Sequence, residues 1–241
     1  MENVKRIVKF IIVSMLSLFL LSGCLYPEDE LAKNKIPYED QIQSVQSAVN
    51  QFRENSNGLL PIKNKDAETD IYTKYLIDFN RLVPRYMSEV PSNAFENGGI
   101  YQYVIVDPET NPTVKIFDLQ IAETIRELKI RMMSKKYPPY KEKIANNVFS
   151  IDFKQLGYKE PPVVVSPYTK QNLSFVITGE GNIYVDYRPD LYQLIDNSNQ
   201  SFKKGDDIRP LLVENSVFVP AYSLPYTIND DGEPIFMSEI Q

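Results

Sequence analysis

The sequence predicts an α+β fold of two tandem helix-plus-antiparallel-meander units with a short α/β C-terminal extension. Three observations carry that expectation. Apolar residues at helical spacing over residues 38–55 are followed by an alternating strand and a turn-rich hairpin. The same order returns further along at a nearly constant offset. After Asp196 the pattern changes to short strands and one short helix.

Residues 1–23 come first and read as a lipoprotein signal peptide. Lys5, Arg6 and Lys9 give a basic start, and residues 10–21 form a short run of apolar residues and serine. A membrane-spanning helix needs about 20 such residues, whereas a signal peptide has this shorter layout with small residues before the cut. Leu21, Ser22 and Gly23 precede Cys24, the only cysteine of the chain. The group Leu21-Ser22-Gly23-Cys24 resembles the lipobox of bacterial lipoproteins. That resemblance implies a diacylglyceryl group on the Cys24 thiol and Cys24 as the new N-terminus. Residues 24–37 are polar and unpatterned, a lipidated tether whose thirteen residues after Cys24 reach at most about 45 Å.

The first unit is expected over residues 38–118. Ile42, Val45, Val49 and Phe52 share one helix face, and Asn57-Gly58 ends the helix. Tyr101, Tyr103 and Ile105 alternate with Gln102 and Val104 as a strand does. Residues 107–112 are dense in turn formers, and residues 114–119 resume the strand.

The second unit is expected over residues 119–195. Ile121, Ile125 and Leu128 repeat the face of Val45, Val49 and Phe52 at an offset of 76. Ile77-Asp78-Phe79 with Leu82 recurs as Ile151-Asp152-Phe153 with Leu156, an offset of 74. Tyr101, Tyr103 and Ile105 match Leu173, Phe175 and Ile177 at 72, and Val90-Pro91-Ser92 has a looser echo at Val165-Ser166-Pro167. Gly179-Glu180-Gly181-Asn182 reads as a hairpin turn, and residues 183–187 as the returning strand.

In the extension, residues 196–241, Asp207 is placed to cap a short helix with Pro210 in its first turn. Residues 217–219 and 226–228 read as strands. Asn229, Asp230, Asp231 and Gly232 then turn the chain toward Ile235, Phe236 and Met237.

Within residues 45–118, "AVNQFRENSNGLLP" and "LVPRYMSEVPSNAFENGGIYQY" bring together Gly58, Pro61, Leu82, Pro84, Tyr86, Pro91, Gly99, Tyr101 and Tyr103. This stretch resembles the globular domain of type II secretion pseudopilins. The resemblance implies the fold of that domain. The chain departs from those proteins at its N-terminus, where they keep a long hydrophobic filament-packing helix, and their calcium ligands have no match here. As a whole the chain is similar to a predicted lipoprotein family of Bacillus-type Gram-positive bacteria, some members of which carry a transporter-binding label. That similarity implies a cell-membrane, lipid-anchored location on the extracytoplasmic face.

Composition narrows the chemistry. The formal net charge is −6, and loss of residues 1–23 leaves 23 basic and 31 acidic side chains, which argues against nucleic acid as a partner. The chain has no histidine. Imidazole catalysis, the common near-neutral switch and the usual zinc or copper sites are thereby disfavoured, and no cofactor is expected.

Four stretches invite a site. Ser201-Phe202-Lys203-Lys204 fits Ser-x-x-Lys, but neither partner motif of the penicillin-recognising enzymes accompanies it. Asn229, Asp230, Asp231, Gly232 and Glu233 gather oxygen ligands as calcium loops do, yet without alternating spacing; a turn is the favoured reading. Gly179-Glu180-Gly181 lacks phosphate-loop spacing. Arg126, Lys129, Arg131, Lys135, Lys136, Lys141 and Lys143 oppose only Glu127 and Glu142 within their segment, a local charge of +5. On a lipid-anchored domain such a segment suits an anionic surface.

These readings favour a non-catalytic binding or scaffold module, held in the membrane through the lipid on Cys24 and docked on a membrane or cell-wall protein. Two alternatives stay open: a solute-binding lipoprotein associated with an ABC transporter, and a carboxylate-dependent cell-wall enzyme.

Overall fold

A computed structural model describes residues 39–63, 65–198, 201–214 and 216–237. Cys24, its lipobox and the tether lie outside the described residues. The described residues belong to one compact unit that begins at Tyr38.

Helix α1 (Glu39–Asn55) buries Ile42, Val45, Ala48 and Val49 on one face. Glu39 and Asp40 complement the positive end of its dipole. It ends where the spacing predicts: Asn57 and Gly58 take positive φ, and the Gly58 N–H donates to the Arg53 carbonyl at 3.0 Å. A single turn, α2 (Ile71–Lys74), is capped by Asp70, whose carboxylate accepts from the Tyr72 N–H.

Strands β1 (Tyr101–Val106) and β2 (Thr113–Asp118) form the expected antiparallel hairpin, with Tyr101 opposite Asp118 and Val106 opposite Thr113. Isolated bridges widen this sheet: Leu76 pairs with Val104, and Ile62 with Ile77. Every residue of β1 is buried. Tyr101, Tyr103 and Ile105 pack with α1, while Val104 and Val106 enter a separate cluster with Tyr72, Leu76, Phe117, Val219 and Ala221. Gln102, although polar, is buried and donates to Glu96 at 3.2 Å. β2 stops one residue short of its expected end because Asp118 caps the next helix, accepting from the Gln120 N–H at 2.8 Å.

That helix, α3 (Leu119–Met133), opens the second unit and buries Ile121, Ile125 and Leu128 as its periodicity requires. Strands β3 (Tyr140–Ala145), β4 (Val148–Ile151), β7 (Phe175–Thr178) and β8 (Ile183–Val185) form an antiparallel sheet in that order. A small hairpin of β5 (Val164–Val165) and β6 (Asn172–Leu173) lies between β4 and β7.

The repeat is visible in the registers. Leu76 pairs with Val104, and Ser150, 74 residues on, pairs with Val176, 72 residues on. The Asp78 N–H donates to the Pro61 carbonyl at 2.8 Å, and the Asp152 N–H donates to the Pro139 carbonyl at the same distance. Each aspartate then caps a short turn that ends at Leu82 or Leu156. The Val90-Val165 echo does not extend this match: Ala94 near the first makes a parallel bridge to Tyr101, whereas Val165 belongs to the β5–β6 hairpin.

Tyr187, expected as the last residue of a strand, instead precedes α4 (Arg188–Asn197), a helix whose first turn holds Pro189. Helix α5 (Pro210–Glu214) follows, and the Arg209 N–H donates to the Asp207 carboxylate at 3.0 Å. Strands β9 (Tyr226–Ile228) and β10 (Pro234–Phe236) pair around the expected turn.

Between α5 and β9 the chain touches both sheets. Residues 217–219, expected as a strand, make a single parallel bridge from Phe218 to Ile116, flanked by bonds from the Ile116 N–H to Val217 and from the Val219 N–H to Ile116. Five residues later Ser223 bridges Val185, also parallel, and the Val185 N–H donates to Tyr222. Ile116 and Val185 hold corresponding places, since Val104 pairs with Lys115 and Val176 with Tyr184. The C-terminal segment therefore closes the same edge of both sheets.

Candidate functional site

Three parts of the chain that are distant in sequence enclose a cleft of about 660 Å³. α2 and its neighbour contribute Ile71, Tyr72 and Tyr75. The β1–β2 connection contributes Asp107, Pro108 and Glu109, and α5 contributes Pro210, Val213 and Glu214. The volume lies within the range usual for ligand-binding clefts, roughly 300–1,000 Å³.

Local structure fixes each wall. Asp107 takes a left-handed φ of 49°, and its carbonyl accepts from the Thr110 and Asn111 N–H groups. That turn presents Pro108 and Glu109 to the cleft. Lys115, on β2, donates to the Val213 carbonyl at 3.1 Å and to the Ser216 carbonyl. Burial lowers the Lys115 pKa, and Asp107 opposes that shift. Two bonds to carbonyls commit the ammonium to holding α5 and the segment after it, which makes it a poor nucleophile.

Beneath the cleft lies Arg209, only 4% exposed. Its guanidinium donates to Asp207, to Asp70 at 2.7 Å and to Ser223 at 3.2 Å, and stands 5.0 Å from the Tyr72 ring centroid. Burial works against its charge, but the hydrogen bonds and attraction of Asp207 and Asp70 prevail and raise its pKa. Burial likewise pushes the Tyr72 hydroxyl up, so it stays protonated. The lining thus joins an apolar and aromatic wall to three carboxylates, Asp107, Glu109 and Glu214, against one committed lysine. Such a site favours a cationic group carried on an apolar body.

No spacing announces this cleft in the sequence, because its lining runs from residue 71 to residue 214. The turn formers at residues 107–112 were its one visible part.

The basic segment divides in two. Arg126 pairs with Glu123 at 2.5 Å, and Arg131 pairs with Glu127 at 2.9 Å while its guanidinium lies 4.3 Å from the Tyr158 ring centroid. Lys141 pairs with Glu142, its sequence neighbour. Among the described residues Lys129, Lys135 and Lys143 have no ion-pair partner, and Lys136 lies over the Tyr137 ring. Lys141 and Lys143 belong to β3, while the others stand on α3 or just after it.

The remaining motifs have local roles. Lys204 of the Ser-x-x-Lys match pairs with Asp230 at 3.0 Å. Asn229 accepts from the Asp231 and Glu233 N–H groups and closes the β9–β10 turn. Gly181, at φ 81°, lies in the β7–β8 turn. Among the described residues no group of three or more acidic or sulfur ligands is placed to hold a metal, and no helix is long and apolar enough to cross a membrane.

A buried polar cluster was not legible in the sequence. Asp190 accepts from Ser166 at 2.8 Å and from Thr169 at 2.5 Å, and burial raises its pKa. It ties the β5–β6 turn to α4.

Compared with known proteins, residues 38–118 match the family described as the YphF family N-terminal domain. The matched stretch covers α1 through β2, and the second unit lies outside it. No curated protein and no solved structure matches the chain.

Proposed function

We propose that this protein is a lipid-anchored module on the outer face of the cell membrane that binds a partner protein in the cleft between α2, the β1–β2 turn and α5. It catalyses no reaction of its own. Cys24, behind Leu21, Ser22 and Gly23, carries the anchor, and residues 25–37 give the folded part reach. The composition of the cleft carries the binding assignment: apolar and aromatic walls under a carboxylate rim. A segment of a membrane or cell-wall protein that presents a lysine or arginine on an apolar body suits that lining.

Crosslinking in intact cells followed by mass spectrometry tests the reading. A partner captured by the wild type and lost in Ile71→Arg and in Glu109→Lys supports it, since both side chains line the cleft and stand away from the core. The same partner captured equally by both variants would place binding elsewhere. A rise in melting temperature with a small cationic solute, and no captured protein, would favour the solute-binding alternative. The anchor has its own test: Cys24→Ala releases the protein from the membrane fraction or blocks its processing, and unchanged lipidation overturns that part.

A further inference from the structure

The segment from Lys129 to Tyr137 combines two properties that rarely share a surface. It carries Lys129, Arg131, Lys135 and Lys136 with no acidic residue, on a chain whose net charge is −6. It also exposes large apolar side chains: Ile130 is 57% exposed, Met133 85% and Tyr137 71%.

Helix geometry explains their exposure. Ile125, Leu128 and the half-buried Met132 turn toward the second core, which leaves Ile130 and Met133 on the outward face of α3. α3 ends at Met133, and residues 134–137 continue exposed. Among the described residues no carboxylate pairs with Lys129, Lys135 or Lys136, in contrast to Arg126 and Arg131. A soluble partner surface of opposite charge would satisfy the lysines and leave Met133 and Ile130 unexplained. A bare apolar groove would do the reverse. An anionic bilayer satisfies both: lysines reach lipid phosphates, a tyrosine ring suits headgroup depth, and methionine and isoleucine enter the acyl boundary.

We infer that this end of α3 rests on the anionic membrane surface, with Ile130, Met133 and Tyr137 in the interface and Lys129, Lys135 and Lys136 on lipid phosphates. Lys141 and Lys143 on β3 are not needed for this contact, which narrows the basic segment to its helix-end portion. The inference rests on the membrane-bound reading above and adds the face that the domain turns to the lipid.

The chain has no tryptophan, so Tyr137→Trp supplies a single clean reporter. The full chain is reconstituted into vesicles of phosphatidylcholine alone or with phosphatidylglycerol, using lipids brominated on the acyl chain. Flotation reports attachment and quenching reports contact, so failure of the membrane reading and failure of this inference are distinguishable. The expected result is a blue-shifted, bromine-quenched emission in phosphatidylglycerol vesicles. That signal is lost when Lys129, Lys135 and Lys136 are replaced by glutamate, and absent from Tyr192→Trp, a reporter at an exposed site on α4. Floating vesicles with an unquenched tryptophan at 137 overturn the inference. So does equal quenching in phosphatidylcholine alone, or equal quenching of the reporter at 192.

Discussion

Arg209 donates to the carboxylate of Asp70 across 2.7 Å, a contact between residues 139 positions apart. Asp70 caps α2 in the first unit, and Arg209 immediately precedes α5 in the C-terminal extension. The same guanidinium binds Asp207 and Ser223 and lies against Tyr72. One side chain thus holds the floor of the cleft to both of its flanks.

Arg209→Met removes the only cation of that group and leaves Asp70 and Asp207 facing each other beside apolar walls. Removing one partner of a buried pair costs about 3–5 kcal/mol. Urea unfolding monitored by circular dichroism should give a loss of that order. Asp70→Asn and Asp207→Asn added to Arg209→Met should recover part of it, because no unpaired charge then remains.

Gly99 stands against the Asn93 backbone. A Cβ at this position would lie 2.1 Å from the Asn93 carbonyl carbon. Asn93 is held on its other side, where its amide oxygen accepts from the Tyr103 hydroxyl at 2.7 Å in the first core. Gly99→Ala therefore forces backbone to move, and a loss of about 1–3 kcal/mol or more is expected, read as a lowered urea midpoint.

Tyr187 joins the second unit to the C-terminal segment. Its hydroxyl donates to the Ala221 carbonyl at 3.1 Å, and its N–H donates to the Tyr226 hydroxyl at 2.9 Å. Tyr187→Phe keeps the ring packing and orphans the Ala221 carbonyl. A loss of about 1–3 kcal/mol is expected, with faster amide exchange along residues 219–223 as the local signature.

Asp190 gives stability a pH dependence of definite sign. Burial raises its folded pKa above the ordinary 3.8, against the opposing hydroxyls of Thr169 and Ser166. The folded state holds this proton more tightly than the unfolded chain does. Stability is therefore lost as pH rises from the ordinary carboxylate value through the raised one. Asp190→Asn keeps an oxygen acceptor for the two hydroxyls and removes the titration. Its unfolding midpoint relative to wild type should improve from pH 4 to pH 7; a constant difference would contradict this.

The parts of the fold legible in the sequence are those with local periodicity. α1 and α3 show their buried faces at a fixed spacing, and the β1–β2 turn shows its formers in one run. The repeat was legible because the register that pairs Leu76 with Val104 also pairs Ser150 with Val176. α4 was hidden because its apolar face, Leu191, Leu194 and Ile195, is a single short i, i+3, i+4 group that directly follows a strand pattern. The β3–β4 hairpin was hidden by charge, since Lys141, Glu142 and Lys143 occupy an edge strand. The cleft and the Arg209 group were illegible for a different reason: they depend on contacts between α2 and the extension, which no local pattern encodes.

The crossing of residues 216–223 over Ile116 and then Val185 has a consequence for how the chain folds. These residues follow every other strand of both sheets in chain order. Until they dock, β2 and β8 each present unpaired backbone groups, the condition under which nascent or truncated chains associate edge to edge. Completion of both sheets is thereby tied to the docking of residues 217–223. A premature stop before Val217 would leave two incomplete sheets at once, and such a product is a substrate for chaperones and proteases.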